Sequence, residues 1–236
     1  MTTVHLVYPV DPRRIAAPWS IGNHLARGLV RAGYRVRAYN WDGAADAAVY
    51  PEDIVLGHPH PEPGRSFEQI AGCRPARVVG LSPWNGLDEV AAMIDRVMPL
   101  CDSYLALCGP GWWPSAQDRW PKAIHLDGAV DPVDWPLIHR EWNPPGKRRF
   151  LYVGCTLPCK GIDRLSALAL EHGGPDLWWH VGPGTVPGCR EFGYVENWRV
   201  IAAECDFLIC CGRNDANPTT VLEAACMGLI PIVSDG

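Results

Sequence analysis

No stretch of the 236 residues concentrates positive charge: Lys plus Arg number 21 against 26 Asp plus Glu, a formal net charge of −5. Without a basic patch there is no electrostatic footprint for nucleic acid or anionic lipid, and no nucleic-acid partner is expected. No apolar run approaches the roughly 18 residues that a membrane-crossing helix needs, so no transmembrane segment is expected. The amino terminus has neither a basic leader nor a cleavage site before it turns strand-like at Val4, so a cytoplasmic protein is expected. Zinc spacing is missing as well. Cys155 and Cys159 stand alone, with no second pair or His cluster nearby, whereas a structural zinc takes about four ligands. The ten cysteines, among them Cys205, Cys210, Cys211 and Cys226 in apolar contexts, then read as small core residues.

What is abundant is punctuation. Gly (24) and Pro (23) make up about 20% of the chain against a usual share of roughly 12%, scattered singly between apolar runs. The first 50 residues read strand (Val4–Val10), helix and strand (Tyr34–Tyr39). The helix opens near Ser20 as N-cap, repeats apolar residues at Ile21, Leu25 and Leu29, and closes at Gly33. Strand and helix runs then alternate to Leu126, as parallel sheets require. A proline-rich, aperiodic stretch follows. The same grammar restarts at Arg149 and ends with a helix from Pro218 to Met227, Gly228 as its stop and a strand to Ser234. The expected fold class is α/β, with two doubly wound Rossmann-like domains: residues 1–131, a linker at 132–148 and a second domain at 149–236.

The most informative stretch runs from Asp215 to Ser234. Asn217 is a natural N-cap and Pro218 suits the first helical position. The N–H groups of Thr219, Thr220 and Val221 would then point out of the helix start, a place for a diphosphate at the positive end of the helix dipole. Asp215 lies just before that end and Glu223 about one turn inside, where two carboxylates could grip the hydroxyls of a sugar and of a ribose. Thr220 and Glu223 also satisfy the capping-box pattern, which requires no function.

This stretch resembles the signature of the family 4 (group 1) retaining glycosyltransferases, which have the GT-B fold. Their signature is an acidic residue, seven residues, then Glu; here the pair is Asp215 and Glu223, with Gly228 and Pro231 in register. Asp215 departs from the commoner Glu but follows a sub-pattern with Pro218, Thr220 and Val221. Phe150–Gly154 followed by Lys160 and Gly161 is similar to the family's strand, glycine and Lys-Gly element, whose Lys contacts the donor diphosphate. Cys155 stands where the family has a second phosphate ligand, Arg. Gly182 and Gly184 resemble its strand-end glycines, and otherwise read as a turn. Ser20–Gly22 resembles the glycine-rich start facing the donor phosphates. Asp53–His58 resembles a strand end whose His reaches the transferring sugar, with His60 competing for that role. Asp127–Asp131 looks like the turn into the linker.

The resemblance implies a hexosyltransferase-like enzyme that moves a sugar from a nucleotide diphosphate sugar to an acceptor hydroxyl with retention. The acceptor would be a glycan, a glycolipid or a small molecule. It implies His58 and Asp215 at the catalytic centre, and Gly22, Lys160, Asp215, Thr219, Thr220, Val221 and Glu223 in donor binding. No cofactor and no metal are required, since Lys160 and the helix start would meet the charge of the departing diphosphate. It further implies that the second domain is truncated relative to the family. Two other readings stay open: a catalytically impaired relic that binds nucleotide or sugar, and a nucleotide-sugar epimerase. Of the eleven tryptophans, Trp112, Trp113 and Trp120 sit in a Gly/Pro-rich stretch that reads as loop and Trp178 and Trp179 in a strand; all five read as core residues or as platforms for sugar rings.

Overall fold

The structure, a computed structural model, describes residues 2–11, 13, 19–41, 46–138, 141–213, 215–216 and 218–234. The chain forms two compact units, Met1–Gly128 and Ala129–Gly236.

The first unit runs β1 (Thr3–Val7), α1 (Trp19–Arg31), β2 (Arg35–Tyr39), β3 (Ile54–Gly57), α2 (Ser66–Ala71), β4 (Arg77–Pro83), α3 (Asp88–Val97), β5 (Ser103–Leu107), α4 (Trp113–Arg119) and β6 (Ala123–Leu126). Its strands pair in parallel in the order β2-β1-β3-β4-β5-β6. Parallel strands need crossovers that cover the sheet, and every residue of β1 is buried accordingly. Side chains alternate between faces. Val4, Leu6 and Leu56 pack with Ile21, Leu25 and Leu29 of α1. Val7 and Val55 pack with Phe67, Ile70 and Ile94 of α2 and α3. Each fully buried Leu or Ile contributes about 1.5–3 kcal/mol.

The second unit runs β7 (Phe150–Val153), α5 (Ile162–Glu171), β8 (Trp178–Val181), β9 (Arg190–Glu191), α6 (Arg199–Ala202), β10 (Phe207–Cys210), α7 (Thr219–Met227) and β11 (Ile230–Val233). Its strands are also parallel, in the order β11-β10-β7-β8-β9. The chain winds outward from β7 in one direction and then returns to the other side through β10. That puts a topological switch point between β7 and β10, as one lies between β1 and β3 in the first sheet.

Several expectations change. Ser20 lies within α1 rather than capping it. The Gly/Pro-rich segment around Trp113 forms α4, with proline in its first turn, where a missing N–H is harmless. Segment 132–148 is not a bare linker, because its described residues pack on the second unit. Trp135 and Trp198 meet at 5.3 Å between ring centroids, and Ile138 N–H donates to Met227 O at 3.0 Å. Asn143 Nδ2 donates to Asp206 Oδ2 at 2.8 Å. Burial alone would raise the Asp206 carboxyl, but donors from Arg149 and Asn143 hold it below the usual range. Trp120, Trp178 and Trp179 are buried, so none of them offers a platform for a sugar ring.

Two glycines of α1 make opposite predictions. A Cβ on Gly22 would lie 1.9 Å from Pro9 O, while one on Gly28 would meet nothing within 4 Å. Gly22→Ala should lower stability by about 1–3 kcal/mol, because backbone must shift. Gly28→Ala should raise it by about 0.5–1 kcal/mol, by removing unfolded-state freedom in a helix. Urea denaturation of the two variants checks both signs.

Candidate functional site

In an open parallel sheet the ligand crevice lies outside the carboxyl ends of the strands at the switch point. In the second unit that position is filled by the loops leaving β7 and β10. The β7 loop passes through Gly154 and a single 3-10 turn, Pro158–Lys160, and then turns at Gly161. Gly161 is left-handed (φ 67°), and a Cβ there would lie 2.0 Å from Cys211 O. Only glycine lets the Lys160–Gly161 corner close onto the end of β10. Arg213 N–H donates to Cys159 O at 2.9 Å, and Ser234 Oγ donates to Gly212 O at 2.8 Å. The first bond joins the two loops, and the second ties the β10 loop to the end of β11.

The result is a contact across 55 residues of sequence: Lys160 Nζ lies 2.5 Å from Asp215 Oδ2. Burial works against the ammonium, but the charge and the hydrogen bond of Asp215 outweigh it and raise Lys160 above the ordinary lysine value. The two side chains are 30% and 20% exposed, so the pair stays open to a ligand.

Beyond Asp215 the chain enters α7. Pro218 is the residue before the helix, with extended backbone, and Thr219 and Thr220 open its first turn. Asn217, expected as the cap, lies outside the described residues. Val221 does not fit its expected role, because its N–H donates to Pro218 O at 3.1 Å. Proline's extended backbone turns its carbonyl onto the helix start and tightens the first turn. Glu223 is the fifth helical residue and is 1% exposed. A capping box would have needed it in the first turn beside an N-cap Thr220, so that reading falls. A carboxylate this buried is costly, which makes its placement informative.

Behind the β7 loop stand residues that the sequence did not single out. Gly154 O lies 2.9 Å from His180 Nε2, and His180 Nδ1 lies 2.5 Å from Glu191 Oε2. Tyr152 OH donates to Cys155 O at 2.7 Å. A lone His in an apolar strand carries no periodic or spacing signal that would have marked it.

The first unit brings Gly22 and His58 to the same segment, Tyr8–Pro9. Gly22 abuts Pro9 O, and the His58 ring stands 5.8 Å from Tyr8 and 5.4 Å from Trp41, centroid to centroid. His58 N–H donates to Val7 O at 3.0 Å. Its Nδ1 faces Pro59 O at 2.5 Å, and a carbonyl only accepts, so Nδ1 carries the hydrogen and Nε2 keeps a lone pair. Burial holds the ring down at a pKa of about 4. His60 Nδ1 is engaged by Glu62 N–H at 3.0 Å. Arg96 of α3 fixes this loop, donating to Pro61 O at 2.8 Å and to Glu68 at 2.7 Å. Asp53 sits before β3, opposite the crevice end, and accepts from Tyr50 N–H (2.9 Å) and Thr3 N–H (3.3 Å).

No family model and no curated protein matches the sequence. Solved structures do match the fold. Sucrose-phosphate synthase from Thermosynechococcus elongatus aligns over 100% of this chain and 82% of its own, with TM-score 0.67 and 11% identity. Anabaena HepE, in complex with UDP and glucose, aligns over 100% and 81%, with TM-score 0.60 and 10% identity. TarM aligns over 79% of this chain and 42% of its own, with TM-score 0.59 and 11% identity; this match thus spans less than half of TarM. The chain shares their two-sheet, Rossmann-like GT-B fold. Among the described residues, no helix is long and apolar enough to cross a membrane.

The low His58 value makes a signed prediction. The unfolded chain takes up a proton near the usual 6.5 and the folded ring only near 4, so the stabilisation from neutral His58 is fully present above about pH 6.5 and is lost as pH falls toward 4. Between pH 7.5 and 5 the protein should lose about 1–2 kcal/mol through this group. His58→Gln should flatten that part of the urea-measured pH profile. An unchanged slope would place the titration elsewhere.

Proposed function

We propose that this chain is a glycosyltransferase, moving a sugar from a nucleotide diphosphate sugar to an acceptor hydroxyl with retention of anomeric configuration. The observation that carries the proposal is the meeting of Lys160 and Asp215 at 2.5 Å in the crevice outside β7 and β10, beside the start of α7. The signature spacing of Asp215 and Glu223 supports it, as does a fold shared with proteins solved in complex with UDP.

In this reading Lys160 takes the diphosphate, helped by the positive end of α7 at Thr219 and Thr220. Asp215 exchanges the ammonium for hydroxyls of the donor sugar, and Glu223 holds the nucleotide ribose. The bond from the anomeric carbon to the diphosphate breaks with its electron pair on oxygen. Lys160 and the helix dipole stabilise that charge, so no metal is required. By the resemblance, His58 would serve the reacting sugar, and as a neutral ring whose hydrogen is on Nδ1 it would do so as a hydrogen-bond acceptor through Nε2. The acceptor hydroxyl, from a glycan, a glycolipid or a small molecule, bonds to the anomeric carbon and passes its proton to the departing diphosphate oxygen.

A second reading, a donor-binding relic without turnover, has its own support. Cys155 replaces the expected Arg, and the guanidinium of Arg213, on the Asp215 loop, is engaged by Asp163 at 2.5 Å. Losing one charged phosphate ligand costs about 1–3 kcal/mol.

Thermal-shift titration with UDP, GDP, ADP and dTDP tests the donor site. One nucleotide at about 100 times its Kd should raise Tm by about 5–10 °C, and Lys160→Ala and Glu223→Gln should each abolish the rise. No rise with any nucleotide would overturn the proposal. A rise without glycosyl product from the matching nucleotide sugars and simple acceptors would favour the relic.

A further inference from the structure

The glycine at 182 has a cause that lies in its neighbours. A Cβ there would sit 2.0 Å from Gly154 O and 3.2 Å from His180 Nε2. Gly182 is therefore the gap through which the Gly154 carbonyl reaches the His180 ring, at 2.9 Å. The ring is fully buried in β8 and stacks on Tyr152 at 5.3 Å between centroids. Its other nitrogen, Nδ1, meets Glu191 Oε2 at 2.5 Å. The carboxylate is itself oriented by Val186 N–H, which donates to Oε1 at 2.7 Å.

The hydrogen count across this line is decisive. A carbonyl oxygen only accepts, so Nε2 must carry a hydrogen. An ionised carboxylate also only accepts, so a neutral imidazole would leave a lone pair on Nδ1 facing an anionic oxygen. The contact therefore holds one more proton than a neutral ring beside a carboxylate. Imidazole is the stronger base of the two groups, which puts that proton on Nδ1.

We propose that His180 is an imidazolium locked between Glu191 and Gly154 O, and that this pair braces the loop carrying Lys160. The inference rests on the donor-site reading for what the loop binds, but not for the brace itself. His180 and Glu191 are then positioning residues. With Gly154 O bound to His180 and Cys155 O bound to Tyr152 OH, both carbonyls at the start of the loop face into the protein. The next N–H groups and the 3-10 turn that presents Lys160 follow from that fixed start.

Ring nitrogen NMR on the full chain, without ligand, tests the brace. Wild-type His180 should show two protonated ring nitrogens at neutral pH. Glu191→Gln should show one, because its amide can donate to an unprotonated Nδ1. A single protonated nitrogen in the wild type overturns the proposal. His180→Phe keeps a ring and loses both bonds, so the amide signals of Gly154 to Lys160 should move; unmoved signals also overturn it. For UDP, or whichever nucleotide binds, affinity should fall about tenfold in His180→Phe and return to within about threefold of wild type in His180→Gln, which can still donate to Gly154 O. Full affinity in His180→Phe overturns the positioning role. If no nucleotide binds the wild type, the donor-site reading fails while the ring and amide signals still decide the brace.

Discussion

The second unit depends on one close approach: the Lys160–Gly161 corner lying against the carbonyl of Cys211. A side chain at 161 would occupy the space of that oxygen, at 2.0 Å, and would also resist the left-handed turn. Because the corner closes, Lys160 arrives within 2.5 Å of a carboxylate 55 residues away. The approach also brings Cys159 O to Arg213 N–H. The parallel sheet supplies the frame, since the loops after β7 and β10 leave from the same end of adjacent strands. Without the glycine, adjacency alone would leave the two side chains apart.

The pair formed there is neither a surface ion pair nor a fully buried one. Exposed pairs contribute about 0–1 kcal/mol, and breaking a buried one costs about 3–5 kcal/mol. At 30% and 20% exposure the charges are held together but remain within reach of solvent. For a donor-binding site this is a useful intermediate. In the proposed donor-site reading a diphosphate would replace Asp215 beside the ammonium, and sugar hydroxyls would replace the ammonium beside Asp215. Ligand entry would then be an exchange of partners, with hydrogen bonds from neutral hydroxyls taking over from the ammonium at Asp215.

The alternation of apolar runs and turn residues was enough to read two parallel α/β units, because strands covered on both faces must be apolar along their whole length. Gly33 and Gly228 marked helix ends correctly, with φ of 89° and 90°. Short elements escaped. The six residues of α2 and the two of β9 are too few to show a period. α4 was hidden because its proline and tryptophans read as loop. Within the candidate site, the sequence marks Lys160, Asp215, the start of α7 and Glu223 by local pattern, and the structure brings the first two into contact. Val221 was misjudged because the backbone of Pro218 determines which N–H groups remain outward, and residue type does not encode that. Segment 132–148 was misjudged because the demand for it lies in Asp206, a buried carboxylate far along the chain.

Two buried histidines show why the missing part could not be read from composition. His5, in β1, also faces a carboxylate, with Asp53 Oδ2 at 3.1 Å from Nε2. Its second partner is the hydroxyl of Tyr39, at 3.0 Å from Nδ1. A hydroxyl can donate or accept, so that line closes with a neutral ring and no added proton. His180 differs in a single respect, that its second partner is a backbone carbonyl. A carbonyl cannot reverse its role, and the burden passes to the ring. Sequence gives two histidines in apolar strands, each followed by an acidic residue elsewhere in the chain. What separates a structural tie from a proton-bearing brace is the chemistry of one acceptor, and Gly182 is the residue whose absent side chain lets that acceptor in.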